Sequence, residues 1–366
     1  MKWNPISKKK NNPNKPKKTK TREWMDAILF AVVASTLVRG LLFSAFAIPS
    51  GSMESTLLTG DYLFVSKVAY GPRMPMTPLA IPFLESEVTC SKIKTYWDGV
   101  QLPYFRLPGL SKVKQGDVVV FNYPPETATK PVDMGTHYIK RCIALPGQTV
   151  NIIDTKVYVD GKIVPDAPKA QTSYTVTTDG SAINPKLLDD LHIQVINQLS
   201  LNDYEMIIPA DSYADFKSYS SIKAIHPFIA PKGQYDDTIY PHNPLFKWNN
   251  DNFGPLTMPQ KGMTIKLNDS TLALYGDAIK IYEHNEVTGS GDNIYINNKK
   301  AETYTFKMGY YWMMGDNRHN SADSRTWGFV PEDHIVGKAM ITWMSVDSTG
   351  TFLNRIRWSR VGKLIH

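Results

Sequence analysis

Only two cysteines, Cys90 and Cys142, occur in 366 residues. That scarcity excludes a disulfide-stapled scaffold and every zinc framework built from several cysteines. The eight histidines form no HExxH motif or paired ligand spacing, so a zinc hydrolase lacks its ligands, and no metal or other cofactor is expected. Long amphipathic helical patterns are scarce. Acidic residues are absent from the first 22 positions, which hold nine cations: Lys2, Lys8, Lys9, Lys10, Lys15, Lys17, Lys18, Lys20 and Arg22. The net charge of +7 belongs to that arm, because the remaining 32 basic and 34 acidic side chains leave −2. A slightly negative body has no general attraction for phosphate backbones, so nucleic acid is not an expected partner.

Long hydrophobic runs are equally few. Residues 27–38 are uncharged and mostly apolar, Arg39-Gly40 interrupts them, and residues 41–48 resume the run. As a helix, the 22 residues 27–48 extend roughly 33 Å, about one hydrocarbon thickness. The expectation is a basic, solvated arm over 1–23 followed by one transmembrane helix over 24–46. Arg39 is costly at a bilayer centre but can snorkel from the later half of the span. Nine cations precede the segment and none follows Arg39 until Lys67, which puts the N-terminus in the cytoplasm and the body outside. The competing reading is a cleavable secretory signal ending at Ala45-Phe46-Ala47, with the mature chain starting at Ile48.

The body reads as mostly β. Strand patterns occupy 60–70, 118–121 and 137–145, and hairpins are expected over 149–164, turning at Asp160-Gly161, and over 293–305, turning near Asn297-Asn298. Residues 72–110 contain six prolines and form an irregular excursion. Residues 166–299 are rich in polar residues and proline, with one short helix expected near 185–199. They read as an inserted sub-domain within a β core made of 47–165 and 300–366. No chemistry stands out in the insertion.

Three segments outside it can carry chemistry. Pro49-Ser50-Gly51-Ser52-Met53 follows the apolar run, and a Ser after Gly in a turn can present its hydroxyl near a backbone N–H. Such a sequence is also ordinary loop. Lys140 sits in the apolar strand His137-Tyr138-Ile139-Lys140-Arg141-Cys142, sharing a face with Tyr138 and Cys142 and opposed to His137. Burial lowers a lysine's pKa towards the range of a working base; alternatively Lys140 merely emerges at a strand end. His137 is a second possible base for a Ser-His-Asp arrangement. The third segment is 315–325, Gly-Asp-Asn-Arg-His-Asn-Ser-Ala-Asp-Ser-Arg. It can be buried only if its charges pair; otherwise it is a solvated turn.

Taken together and in order, these segments resemble the bacterial type I signal peptidases (leader peptidases). The resemblance rests on Phe46-x-Ile48-Pro49-Ser50-Gly51-Ser52-Met53, on Gly116-Asp117-Val118-Val119-Val120-Phe121, and on Tyr138-Ile139-Lys140-Arg141-x-x-x-Leu145-Pro146-Gly147. It extends to 315–325 with Trp327-Gly328-Phe329-Val330-Pro331. It implies a membrane-bound serine endopeptidase of the bacterial inner membrane, with its catalytic domain on the periplasmic face. Ser52 is then the nucleophile and Lys140 the general base. The Ser52 N–H and Ser50 hydroxyl form the oxyanion hole, Ser321 orients Lys140, and Arg141, Asp316, Asp323 and Arg325 fix the last segment through ion pairs. The implied partners are membrane lipid and the signal peptides of exported preproteins, cut after small-x-small (Ala-x-Ala) ends. Ile48, Pro49, Met53, Leu57, Val120 and Ile139, with Phe46 nearby, are expected to line the pocket, although each also suits core packing. The basic end 355–363 either rests on headgroups or is solvated. A Ser/Lys self-cleaving repressor conflicts with the apolar span and the missing helix-turn-helix pattern. An inactive β-rich binding module predicts loss of Ser52 or Lys140, and both are present.

Overall fold

The structure, a computed structural model, describes residues 19–54, 56–81, 84, 86, 93–167, 170–291, 293–347 and 355–365. Most of the basic arm, and Cys90, lie outside the described residues. The chain is strand-rich behind one N-terminal helix, a mostly β fold with an apolar N-terminal helix.

That helix, α1 (Lys20–Leu41), starts seven residues before the apolar run, on an N-cap at Thr19 whose hydroxyl accepts from the Arg22 N–H. At 22 residues it is long and apolar enough to cross a membrane, and none of its residues is buried in the protein. It ends earlier than the expected 24–46 span. Residues Phe43–Ala47 instead form a strand, β1, at the edge of the main sheet. An apolar stretch this short suits either state; the partner decides it. β1 pairs antiparallel with β2 (Asp61–Ser66), from Phe43 opposite Ser66 to Ala47 opposite Tyr62. The Ser44 hydroxyl donates to the Arg39 carbonyl (3.0 Å), one of the carbonyls left unpaired at a helix C-terminus.

The main sheet runs in the order β1, β2, Ile335–Ser345, β3 (Val118–Asn122), β4 (His137–Ala144), Tyr310–Met314, Val330–Pro331. Neighbours are antiparallel throughout, and Lys363–Leu364 adds to Ile335–Ser345. The long strand from the end of the chain therefore sits between β2 and β3, bringing all three candidate segments onto one sheet. All of β3 is buried, consistent with its unbroken Val-Val-Val-Phe run. Residues 149–164 form a three-strand meander, Thr149–Ile153, Lys156–Val159 and Lys162–Ile163. It turns at Asp154-Thr155 as well as at Asp160-Gly161.

Residues 166–299 divide into two kinds of structure. Strands Gln171–Thr178, Gln194–Gln198, Asp203–Pro209 and Ile222–Pro227 make a separate four-stranded sheet. Its own core contains Val176, Met206, Ile208 and Phe216. The helix expected near 185–199 is confined to Pro185–Asp190, after which Gln194–Gln198 is strand. From Phe253–Thr257 onward the chain returns to the body: this strand pairs with Thr149–Ile153. Phe253, Leu256, Tyr275 and Ile279 join Trp312 and Phe329 in the largest apolar cluster. The stretch was hard to divide from sequence because both parts are polar on average and contain only short apolar runs.

The basic end is partly built into the fold. Arg360 is buried and pairs with Asp61, its Nε donating to Oδ1 at 3.0 Å, while its second arm donates to the Thr56 carbonyl (3.0 Å). Arg357 pairs with Asp347 at 3.3 Å. Trp358 is largely exposed.

Candidate active site

Ser52 lies in a short 3-10 turn, Gly51–Met53, entered through the extended backbone of Ser50. The turn follows β1 and is anchored by Met53, which is fully buried with Ile48, Leu57, Val120 and Leu63. Lys140 projects from the middle of β4, opposite Val119 of β3, and only 3% of it is exposed. Its Nζ lies 2.7 Å from Ser52 Oγ, donating to it, and also donates to the Ile139 carbonyl at 3.1 Å. The ammonium stands 5.5 Å from the Tyr138 ring centre. Burial is the largest influence on this amine and lowers its pKa; the charges of Asp323 and Asp316 pull it partly back, leaving it at about 8. A lysine so depressed is partly neutral near pH 8 and can accept a proton.

The segment 315–325 is cross-braced, with 315–318 and 323–325 buried and Asn320 and Ala322 exposed between them. The Arg141 guanidinium grips Asp316 with two bonds, Nε to Oδ1 at 2.8 Å and NH2 to Oδ2 at 2.7 Å, and donates a third to the Gly116 carbonyl (2.7 Å). Arg325 grips Asp323 in the same way (3.0 and 2.8 Å), and Asp323 also accepts the Gly315 N–H at 3.0 Å. Burial by itself would raise the Asp323 pKa, but Arg325 and these hydrogen bonds hold it below the usual range. Burial likewise works against Arg325, and Asp323 outweighs it.

This braced segment holds the serine turn by its backbone. The Asn317 N–H donates to the Ser52 carbonyl (3.2 Å) and its side-chain amide donates to the Gly51 carbonyl (3.2 Å). Gly315 passes so close that a Cβ there would stand 2.5 Å from the Ser52 carbonyl oxygen and 2.2 Å from Ser321 Oγ. Ser321 is therefore beside the serine turn, but its hydroxyl donates weakly to the Ala322 carbonyl (3.4 Å), and the Lys140 hydrogen bonds go to Ser52 and Ile139. The expected contact from Ser321 to Lys140 is not made in this arrangement. Ser50 is exposed at the entrance to the turn.

Of the seven expected pocket residues, Ile48, Met53, Leu57 and Val120 are buried in one cluster, with Phe46 and Ile139 half-buried against it; Pro49 is exposed outside it. The His137 ring packs on Phe46 with centres 4.8 Å apart, and the amine that reaches the Ser52 hydroxyl is that of Lys140.

Three supports were not visible in the sequence. Gln171, at the start of the separate sheet, donates its N–H to the Asp316 carbonyl and accepts from the Arg318 N–H, both at 2.9 Å. His319 contacts Asp251 at 2.8 Å and Thr172 at 2.9 Å, so the same segment is pinned from both parts of 166–299. The only available signal was the dense polar run Asn249-Asn250-Asp251-Asn252, of which Asn249, Asp251 and Asn252 are buried. Among the described residues no cluster of His, Cys, Asp and Glu is suited to a metal ion.

A family model described as "Signal peptidase, peptidase S26" matches residues 21–216 and 260–344. Among individual relatives, Signal peptidase I of Buchnera aphidicola subsp. Baizongia pistaciae is 25% identical over 330 residues, covering 90% of this chain and 78% of its own. Its counterpart from Buchnera aphidicola subsp. Acyrthosiphon pisum is 27% identical over 337 residues (88% and 77%). Signal peptidase I of Aquifex aeolicus is 26% identical over 324 residues (88% and 84%).

Proposed function

The chain belongs to the S26 signal peptidase family of serine endopeptidases, and from that premise we propose that it removes signal peptides from exported preproteins with Ser52 as nucleophile and Lys140 as general base. The observation that carries the assignment is the 2.7 Å contact between the Ser52 hydroxyl and a buried amine whose pKa is lowered to about 8. In the neutral amine the contact reverses: Ser52 donates its proton to Nζ as its oxygen attacks the scissile carbonyl. The resulting ammonium gives the proton to the departing amine, and the returning amine then activates water against the acyl-enzyme. The Ser52 N–H and the Ser50 hydroxyl take the oxyanion. Neither Asp316 nor Asp323 enters the chemistry. They hold the segment that fixes the serine turn, and their charges keep the Lys140 pKa from falling further.

The substrate reading is an Ala-x-Ala end. Phe46, Ile139 and Pro49 offer apolar contact, and the buried Ile48, Met53, Leu57 and Val120 limit its depth, so small side chains fit and large ones overlap. The enzyme is anchored in the membrane through α1. We place its basic arm in the cytoplasm and its β body on the far side, so that enzyme and signal peptide meet on one surface. The purified chain is expected to cut a preprotein after Ala-x-Ala, with Ser52→Ala and Lys140→Ala each lowering the rate at least about a thousandfold. Cleavage at an undiminished rate by either folded variant would remove the dyad assignment.

A further inference from the structure

A second hydroxyl in the chain is paired with a base. Thr127 lies in the 3-10 turn Pro124–Ala128, just beyond the end of β3, and is half-buried. Its Oγ1 stands 2.7 Å from His334 Nε2, and the other ring nitrogen, Nδ1, stands 2.6 Å from Asp333 Oδ1. Asp333 and His334 come from a different turn, Glu332–His334, which leads into the strand Ile335–Ser345. Both are buried, and the Tyr282 ring meets the imidazole edge to face with centres 5.6 Å apart, which fixes the ring. A carboxylate can only accept, so the proton of the neutral imidazole sits on Nδ1. Nε2 is then a bare lone pair, and the Thr127 hydroxyl donates to it. Burial works to raise the Asp333 pKa, but His334 and Arg73 outweigh it and hold the group below the usual carboxylate range.

Hydroxyl, imidazole and carboxylate in this order turn an alcohol into a nucleophile. The hydroxyl also faces open space. Thr127 and Asp333 both line a cavity of about 650 Å³, a size that takes a small organic ligand. Met76, Leu102, Val132 and Met308 give it an apolar wall, and Lys130 and Lys307 bring positive charge to it. The other acids of the cavity are engaged: Asp98 pairs with Lys94 at 2.9 Å, and Glu283 accepts from the Tyr304 and Tyr310 hydroxyls and the Lys307 N–H. We propose that Thr127, His334 and Asp333 form a second hydrolytic site, which cleaves small carboxylic esters with Thr127 as the nucleophile. The Thr127 oxygen bonds to the ester carbonyl carbon while its proton passes to His334 Nε2. The bond from that carbon to the alcohol oxygen then breaks, and the alcohol departs with the proton, leaving the acyl group on Thr127. Water gives a proton to Nε2, attacks the acyl-threonine, and releases the acid as Thr127 recovers its hydroxyl. Asp333 accepts from Nδ1–H throughout and balances the imidazolium, and the cations of the cavity answer the charge of the oxyanion. An ester suits this site better than an amide because an alcohol leaves more readily than an amine. The site shares no residue with the Ser52–Lys140 pair: Val119, opposite Lys140, is near the start of β3, whereas Thr127 follows its end.

The test uses the full chain in detergent with Ser52→Ala in place, so that the peptidase reading neither supplies the signal nor decides the outcome. Hydrolysis of 4-nitrophenyl butyrate is followed by nitrophenolate release. Adding Thr127→Val keeps the side-chain shape and removes the hydroxyl, and is expected to lower kcat/KM at least about a hundredfold, whereas adding Thr127→Ser preserves the rate. Substitution of the buried His334 can unfold the chain, so the claim rests on Thr127, which sits on a half-buried turn. A second arm needs no substitution there. A fluorophosphonate, whose adduct does not turn over, is added to the Ser52→Ala protein, and peptide mapping is expected to find the phosphonyl group on Thr127. A Thr–His–Asp contact that only braces the two turns predicts equal ester hydrolysis with and without Thr127→Val, and no adduct on Thr127. Either of those results overturns the proposal.

Discussion

In the proposed dyad Lys140 is the residue on which the chemistry turns, and the burial that would make it a base has a cost in stability. In the folded protein its pKa falls from 10.5 to about 8, because burial disfavours the charged form. Below pH 8 the native state holds a buried ammonium, a penalty of roughly 3 kcal/mol by linkage. Between pH 8 and 10.5 the native state has released a proton that the unfolded chain still binds, so stability rises with pH across that window. Replacing Lys140 with Met keeps the stem and removes the charge. Lys140→Met is therefore expected to be more stable than wild type by about 1–3 kcal/mol at pH 7 while losing activity. Denaturant melts should show that gap closing as the pH approaches 10.5. A gap that widens instead would mean that the ammonium is stabilised in place.

Among elements, the serine turn and the 315–325 segment depend on each other. Asn317 holds the turn through two carbonyls, and Gly315 permits the close approach. In Gly315→Ala the new methyl meets Ser321, whose side chain can rotate, and the Ser52 carbonyl, which is backbone and cannot. A displacement of the nucleophile by about 1 Å costs on the order of a hundredfold in rate. Single-turnover kinetics of Gly315→Ala should show that loss in the chemical step with little change in substrate binding; an unchanged rate would mean the turn is not held by this contact. The strands β2, β3 and β4 and the candidates Ser52 and Lys140 were legible because each lies in a short local pattern: an apolar run, a Ser after Gly, a charge where none belongs. Three other features were not legible. Residues 43–47 continue the apolar run of α1 and become strand only because β2 is beside them. The separate sheet is built from strands such as Gln171–Thr178, rich in Thr, whose alternation in burial has no match in hydrophobicity. The pins from Gln171 and Asp251 join positions far apart in sequence, and only the folded chain brings them together.

At the scale of the whole molecule, charge is divided by the apolar helix: nine cations in the first 22 residues, and a body of net −2. That asymmetry predicts orientation. Protease added to spheroplasts should digest the β body while an epitope placed at the N-terminus survives; the reverse pattern would invert the topology. The fold also unites the distant parts of the site, because the strand Ile335–Ser345 enters between β2 and β3 and the separate sheet braces 315–325 from behind. The working state of Lys140 is thus a property of the entire body: the sheet excludes water from it, and the buried Asp316 and Asp323 limit how far its pKa falls. The most direct test is kcat/KM for preprotein cleavage as a function of pH, which reports the free enzyme's essential base. The expected profile rises tenfold per pH unit at low pH and levels off through about pH 8, as a neutral Lys140 requires. A rise that is complete near pH 6.5, the signature of an ordinary imidazole, would contradict the Ser52–Lys140 account.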